Sequence, residues 1–261
     1  FIPYNIIMPN IQKKQLFNQF KINPQKKGLF GPKKISFFAV NDLTFSLSQG
    51  KVLSILGPNG CGKTTTLRMI AGMLEPSKGT VIVDGIDVRR DKHKVKSRIG
   101  FMTNNTSLYD RLTVLETVEF FAQLNQIPVD IYKPRANQLF KKLDMEKYLN
   151  KRIADLSTGM KQKTSIVRTL IHDPKILILD EPTTGVDVDG QSIIMDLIKD
   201  IKNSGKTIIF STHQLGEVKD IADEIIVMKK GSIIFNGKKH EFQAINDDQN
   251  YNEIFTELVN E

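Results

Sequence analysis

Much is missing from this 261-residue chain: it has no tryptophan, a single cysteine, and no apolar run near the roughly 20 residues that cross a bilayer. The lone Cys61 excludes an intramolecular disulfide and a cysteine-rich metal site, so a reducing compartment is expected. The lack of a spanning segment means that any membrane role must run through a partner. Acidic residues are absent from the first 40 positions, which carry Lys13, Lys14, Lys21, Lys26, Lys27, Lys33 and Lys34. Seven of the eight net positive charges therefore sit in that arm, and the body is nearly neutral. A nucleic-acid partner is not expected. A basic arm over residues 1–30 suits anionic lipid, an acidic partner, or simply a solvated terminus. It has no Arg and little Ser, a poor match to a transit peptide, and its opening at Phe1 reads as processing or a longer product.

Apolar residues at 40% and charged residues at 25% are ordinary for a globular domain with a full core. From residue 35 on, short β-rich runs alternate with helical periods, which predicts an α/β fold with a largely parallel sheet. Strands are expected at Ile35–Val40, Leu43–Leu47, Val52–Leu56, Thr80–Val83, Ile176–Leu179, Thr207–Ser211 and Glu224–Met228, with a further turn into Ile233–Phe235. A helix is expected from Thr113, whose capping-box partner is Glu116. Between about 105 and 160 the pattern is helical throughout, an insertion in the α/β core. Residues 31–235 read as the main domain and 236–261 as a tail.

Several strands end at chemistry. After Val52–Leu56 comes Gly57-Pro58-Asn59-Gly60-Cys61-Gly62-Lys63-Thr64-Thr65, then a helix with Leu67, Ile70, Ala71 and Leu74 on one face. This is the G-x-x-x-x-G-K-[ST] phosphate loop, whose backbone N–H groups wrap phosphates while Lys63 neutralises the outer two and the Thr64 hydroxyl ligates Mg²⁺. The run Ile176–Leu179 ends in Asp180-Glu181. Asp180 is placed to hold the metal, and Glu181 to orient or deprotonate the attacking water. Thr207–Ser211 leads to His213, which can hydrogen-bond a γ-phosphate. Cys61, in the loop beside a helix N-terminus, is expected to have a lowered thiol pKa.

Leu156-Ser157-Thr158-Gly159-Met160-Lys161-Gln162, with Ser157 placed 23 residues before Asp180, resembles the signature of the ATP-binding cassette (ABC) ATPases. The resemblance spans about residues 30–235. It implies a P-loop NTPase (RecA-like) core, a small antiparallel β subdomain and a helical signature subdomain. It implies two cassettes packed head to tail, each ATP clamped between one phosphate loop and the opposing Ser157, Thr158, Gly159 and Met160. Asp187 resembles the loop crossing that interface. Asn104 stands where the family usually has a metal- and membrane-domain-coupling glutamine, and Phe30 is the choice for an adenine-stacking ring, with Phe37 or Phe38 as alternatives. Thr158 and Met160, together with Leu108–Thr113, are similar to the branch exporting sodium, drugs and polysaccharides. The resemblance thus implies an Mg²⁺-dependent ATPase at the cytoplasmic face of a membrane, partnered by a second nucleotide-binding subunit, the same or different, and a transmembrane protein. A soluble cassette acting in iron–sulfur assembly, DNA repair or translation is the alternative, though no long heptad insert or second cassette is present.

Overall fold

The structure, a computed structural model, describes residues 39–103, 108–245 and 251–260, with the side chain of the last left out. Eight strands run in chain order: β1 (Val52–Leu56), β2 (Ile82–Val83), β3 (Ile86–Asp87), β4 (Ile99–Met102), β5 (Ile176–Asp180), β6 (Thr207–Thr212), β7 (Glu224–Lys229) and β8 (Ser232–Lys238). Six form one sheet in the order β4-β5-β6-β1-β7-β8, and β2 and β3 form an antiparallel pair apart from it. The ladders from β4 to β7 are all parallel, and β8 closes one edge antiparallel to β7.

The central strands are apolar at successive positions because both faces of a parallel sheet are covered. Alternate residues serve opposite cores. Val52 and Leu56 of β1, Leu177 and Leu179 of β5, and Ile208 and Phe210 of β6 point into one. Leu53 and Ile55, Ile176 and Ile178, and Ile209 point into the other. The first core is closed by helices α3 (Val114–Leu124), α4 (Val129–Lys142), α5 (Thr158–Leu170), α6 (Val188–Asn203) and α7 (Leu215–Ile221). The second is closed by α1 (Lys63–Ile70), by α2 (Lys92–Lys96) through Val95, and by Val83 of the small hairpin. Beyond β8, α8 (Lys239–Gln243) and α9 (Tyr251–Asn260) bury Phe242 and Ile254 against the first core. Among the described residues no helix is long and apolar enough to cross a membrane.

The capping box at Thr113 forms as its sequence implies: the Thr113 hydroxyl accepts from Glu116 N and the Glu116 carboxylate accepts from Thr113 N. Two strand expectations need correction. Leu43–Leu47 is irregular; its Leu43 and Leu47 are buried in the second core, so the alternation reports packing without a ladder. Thr80–Val83 shrinks to β2, whose partner β3 the sequence reading missed. β4 was also missed: its four residues are short for a strand and contain Gly100. In the fold a Cβ there would stand 2.7 Å from the Pro174 ring and 2.8 Å from the Thr169 carbonyl, so this strand needs glycine for close packing. Of Ile35–Val40, only Ala39 and Val40 are described, and both lie in a bend.

Because β5, β6 and β1 are parallel neighbours, their C-terminal ends open on one edge of the sheet, where α/β folds place ligands. Register brings Asp180 beside Ser211 and Leu56 beside Thr212.

Candidate nucleotide-binding site

The loop leaving β1 is shaped by what presses on it. Gly62 has φ 109°, and a Cβ there would lie 2.5 Å from the Ala39 carbonyl oxygen. At Gly57 a Cβ would lie 2.4 Å from the carbonyl of Met228 in β7. The loop is also pinned by Gly231, whose N–H donates to the Cys61 carbonyl at 2.9 Å. The helix α1 then begins at Lys63 with no side-chain cap and no acidic residue in its first turn. Its first N–H groups and its dipole therefore face the cleft as an anion site.

Lys63 is 5% exposed, and its ammonium donates to the carbonyls of Gly57 at 2.6 Å and Pro58 at 3.3 Å. The loop's own carbonyls thus hold this charge over the loop. Its Nζ is 3.9 Å from Glu181 Oε1, and His213 Nδ1 approaches the same oxygen at 3.7 Å. Three predicted catalytic residues from three elements converge on one carboxylate oxygen. The cleft beside them, about 260 Å³, is lined by Ala39, Asn59, Gly60, Gly62, Lys63, Thr64, Thr65 and Glu181.

The strand end of β5 is held by β6. Ser211 donates its hydroxyl to Asp180 Oδ1 at 2.6 Å, and the Glu181 N–H donates to the Ser211 carbonyl and to Ser211 Oγ, both at 3.1 Å. Asp180 is almost wholly buried, and an unpartnered carboxylate there would be costly. Glu181 has φ 51°, the left-handed region that non-glycine residues rarely occupy. Thr184 Oγ1 donates to Glu181 Oε2 at 3.1 Å, and Gln162 Nε2 on α5 donates to the Glu181 and Pro182 carbonyls at 3.1 and 2.9 Å. From α7, buried Glu217 accepts from the Thr183 hydroxyl. Sequence reading assigned no role to Ser211, Thr184, Gln162 or Glu217. Gln162 is the last residue of the signature run, and Ser211 ends the buried run next to the Asp180 strand.

Ser157 caps α5, its hydroxyl accepting from Met160 N at 3.3 Å, and Thr158, Gly159 and Met160 follow in the first turn. None of the four lines the cleft formed by this chain's phosphate loop. A Cβ on Gly159 would meet only ordinary contacts, the nearest the Val186 side chain at 3.5 Å, so packing within the chain does not require glycine there. Asp187 caps α6 by accepting from Gly190 N at 3.0 Å. Gly57, Pro58 and Cys61 shape the loop without lining the cleft. The expected lowered Cys61 pKa is a correction: the thiol is buried beneath the loop in the second core, and burial pushes its pKa up, outweighing the nearby Lys63 charge. Phe30 and Asn104, with the alternatives Phe37 and Phe38, lie outside the described residues.

Asp180 and Thr64 offer oxygen donors only, and among the described residues there is no cluster of three His, Cys, Asp or Glu ligands. This set fits Mg²⁺, which takes one or two protein oxygens and completes its shell with phosphates and water. A softer metal would need nitrogen or sulfur ligands.

A glycine-lined phosphate loop, a buried Asp180 with Glu181 just past its strand end, and a histidine just past the end of the adjacent strand, all at one edge of a parallel sheet, define a P-loop nucleoside triphosphatase. The family model for ABC transporters matches residues 40–184, and the chain belongs to that family as an ATP-binding, ATP-hydrolysing cassette. Among its relatives, the ABC transporter ATP-binding protein NatA of Bacillus subtilis (strain 168) is 40% identical over 87% of this chain and 92% of its own length. The Nod factor export ATP-binding protein I of Ralstonia nicotianae is 35% identical over 77% of this chain and 63% of its own. Among solved structures, the ATP-binding subunit of an ABC transporter superposes with TM-score 0.78 at 26% identity, covering 85% of this chain and 93% of the other. A dimeric cassette in a post-hydrolysis state bound to ADP and Pi gives 0.73 at 27% identity, covering 86% and 97%.

Proposed function

We propose that this chain is the ATP-driven motor subunit of an exporter, working as a pair of cassettes closed by MgATP against a separate membrane protein. One observation carries the reading: Lys63 and His213 both approach Glu181 Oε1 beside a cleft to which the chain's own signature turn contributes nothing. The signature has the N-terminal geometry of an anion site and a glycine that packing within the chain does not require. A phosphate from a second protomer, the same or a different cassette, satisfies both. The printed names of relatives, which include export and drug-resistance ATP-binding proteins, support the exporter direction.

In this reading Lys63 moves its charge from the loop carbonyls to the β- and γ-phosphates, where the α1 N–H groups share the load. Mg²⁺, held through Asp180 and Thr64, supplies neutralisation of the phosphate charge. Asn104 is a further candidate ligand. Glu181 Oε1 orients the attacking water and takes up its proton, and His213 reaches toward the γ-phosphate. Closing two protomers brings Ser157 and Gly159 onto the partner's nucleotide and Asp187 to the shared interface.

The membrane partner is read onto the groove between the sheet edge and α3, about 370 Å³, lined by Met73, Phe101, Phe121, Leu124 and Arg168 among others. Leu124 is 66% exposed there, and Phe120 and Tyr109 stack edge to face beside it. The reading includes a peripheral position on the cytoplasmic side, with residues 31–235 as the cassette, the helical insertion as its signature subdomain, and the basic sequence of residues 1–30 as a candidate contact for anionic lipid.

The test is Glu181→Gln. It should bind ATP, lose turnover, and accumulate as an ATP-dependent dimer in light scattering. A protein that stays monomeric with MgATP, or keeps hydrolysing it, would refute the reading.

A further inference from the structure

The turn carrying Glu181 is gripped from the signature helix. Gln162 is 5% exposed and spends its amide on two carbonyls, Glu181 O at 3.1 Å and Pro182 O at 2.9 Å. Neither bond touches the cleft, and neither is needed to build α5, whose cap is Ser157. What they fix is a backbone that resists its own conformation. A left-handed non-glycine residue is strained and persists only where its surroundings over-determine it. At Glu181 the hydrogen-bond determinants are Ser211 on the N–H, Thr184 on the side chain, and on the carbonyl both the Thr184 N–H at 3.3 Å and Gln162 at 3.1 Å, while Lys63 and His213 approach the carboxylate.

Ser211 sits on β6, inside the sheet, and Thr184 belongs to the turn itself. Of the groups that hold the Glu181 backbone, Gln162 alone comes from the helix that begins at the signature, whose capped end has the geometry of an anion site. It lies five residues beyond Ser157, about 7.5 Å along a rigid α-helix, so a displacement at the capped end reaches the amide almost undiminished.

We infer that Gln162 is a positioning residue: it sets the Glu181 carboxylate of its own protomer according to where the signature helix of that protomer lies. The inference rests on the two-protomer reading above. In such a pair, a signature helix engages nucleotide in one shared site while the Glu181 it grips works in the other. The amide therefore links the occupancy of one site to the geometry of its twin.

Mixed dimers separate this role from simple support of the signature. Two differently tagged copies of the full chain are co-expressed and purified through both tags, one copy carrying Glu181→Gln so that a single Glu181 performs turnover. Gln162→Ala is then placed on either copy. Placed on the copy that keeps Glu181, it should lower kcat by about tenfold or more relative to the other placement, a cost in line with sub-ångström misplacement of a catalytic group, with equal ATP affinity in both preparations. Equal losses, or a larger loss from the other placement, would mean that Gln162 merely shapes the signature presented to the partner, and would overturn the inference. Gln162→Glu keeps the side chain's shape but removes both donors; it should reproduce the asymmetry and carries the experiment if the alanine variant does not melt cooperatively. If the Glu181→Gln copy forms no ATP-dependent dimer at all, the two-protomer reading fails and the linkage fails with it.

Discussion

Ser211 shows how much one hydroxyl holds together. Its Oγ donates to Asp180 and accepts from the Glu181 N–H, so the carboxylate proposed to hold the metal and the one proposed to activate water share one support. Ser211→Ala leaves the buried Asp180 oxygen without that donor, and a buried acceptor stripped of its partner costs about 1–3 kcal/mol. The expected outcome is a lower midpoint in urea at unchanged slope, together with reduced turnover. His172 makes a second argument at this scale. Its Nε2 lies 3.1 Å from the Ile99 carbonyl, and burial holds its pKa below the usual histidine value, helped by Lys206 and Arg135 and opposed by Asp173 and the Ile99 bond. A histidine that stays neutral in the fold binds no proton while the unfolded chain does, so stability is full above about pH 6.5 and falls as the pH drops through the window below it. Thermal melts between pH 7.5 and 5.5 should show that decline, and His172→Gln should flatten it.

Elements differed in how openly the sequence declared them. The phosphate-loop and Asp–Glu patterns stood out because their residue types are demanded by chemistry at fixed spacing, and the signature stood out by its resemblance to the family's. The buried runs of β1, β5, β6 and β7 were legible because continuous apolar stretches have no other use in a parallel sheet. β4 escaped because its glycine answers to Pro174 and Thr169, far along the chain, and β3 because two residues carry no period. The contacts around Glu181 escaped for a related reason: Thr184 and Glu217 act through hydroxyls that no local pattern announces, and Gln162, though inside the signature run, reaches the Glu181 and Pro182 carbonyls about twenty residues away. Gly100→Ala tests the strand argument. With a backbone oxygen 2.8 Å from the new Cβ, the edge strand must shift, and the variant should melt several degrees lower with ATP affinity little changed.

At the scale of the molecule, the sheet separates two cores, and the chemistry sits on the rim where its strands end. The exposed groove beside α3 is a separate surface. Leu124→Glu tests that separation. At 66% exposure the side chain contributes little to folding, so ATPase activity of the purified chain should persist while co-fractionation with detergent-solubilised membranes is lost. Activity lost together with membrane association would tie the groove to catalysis instead.

The left-handed backbone at Glu181 carries one more consequence. Glycine adopts that conformation without steric cost, so the chain gives up some durability to keep a carboxylate on that hinge. Glu181→Gly should yield an inert enzyme that survives heating at least as well as its parent, a sign that selection has favoured work over endurance at this one peptide unit.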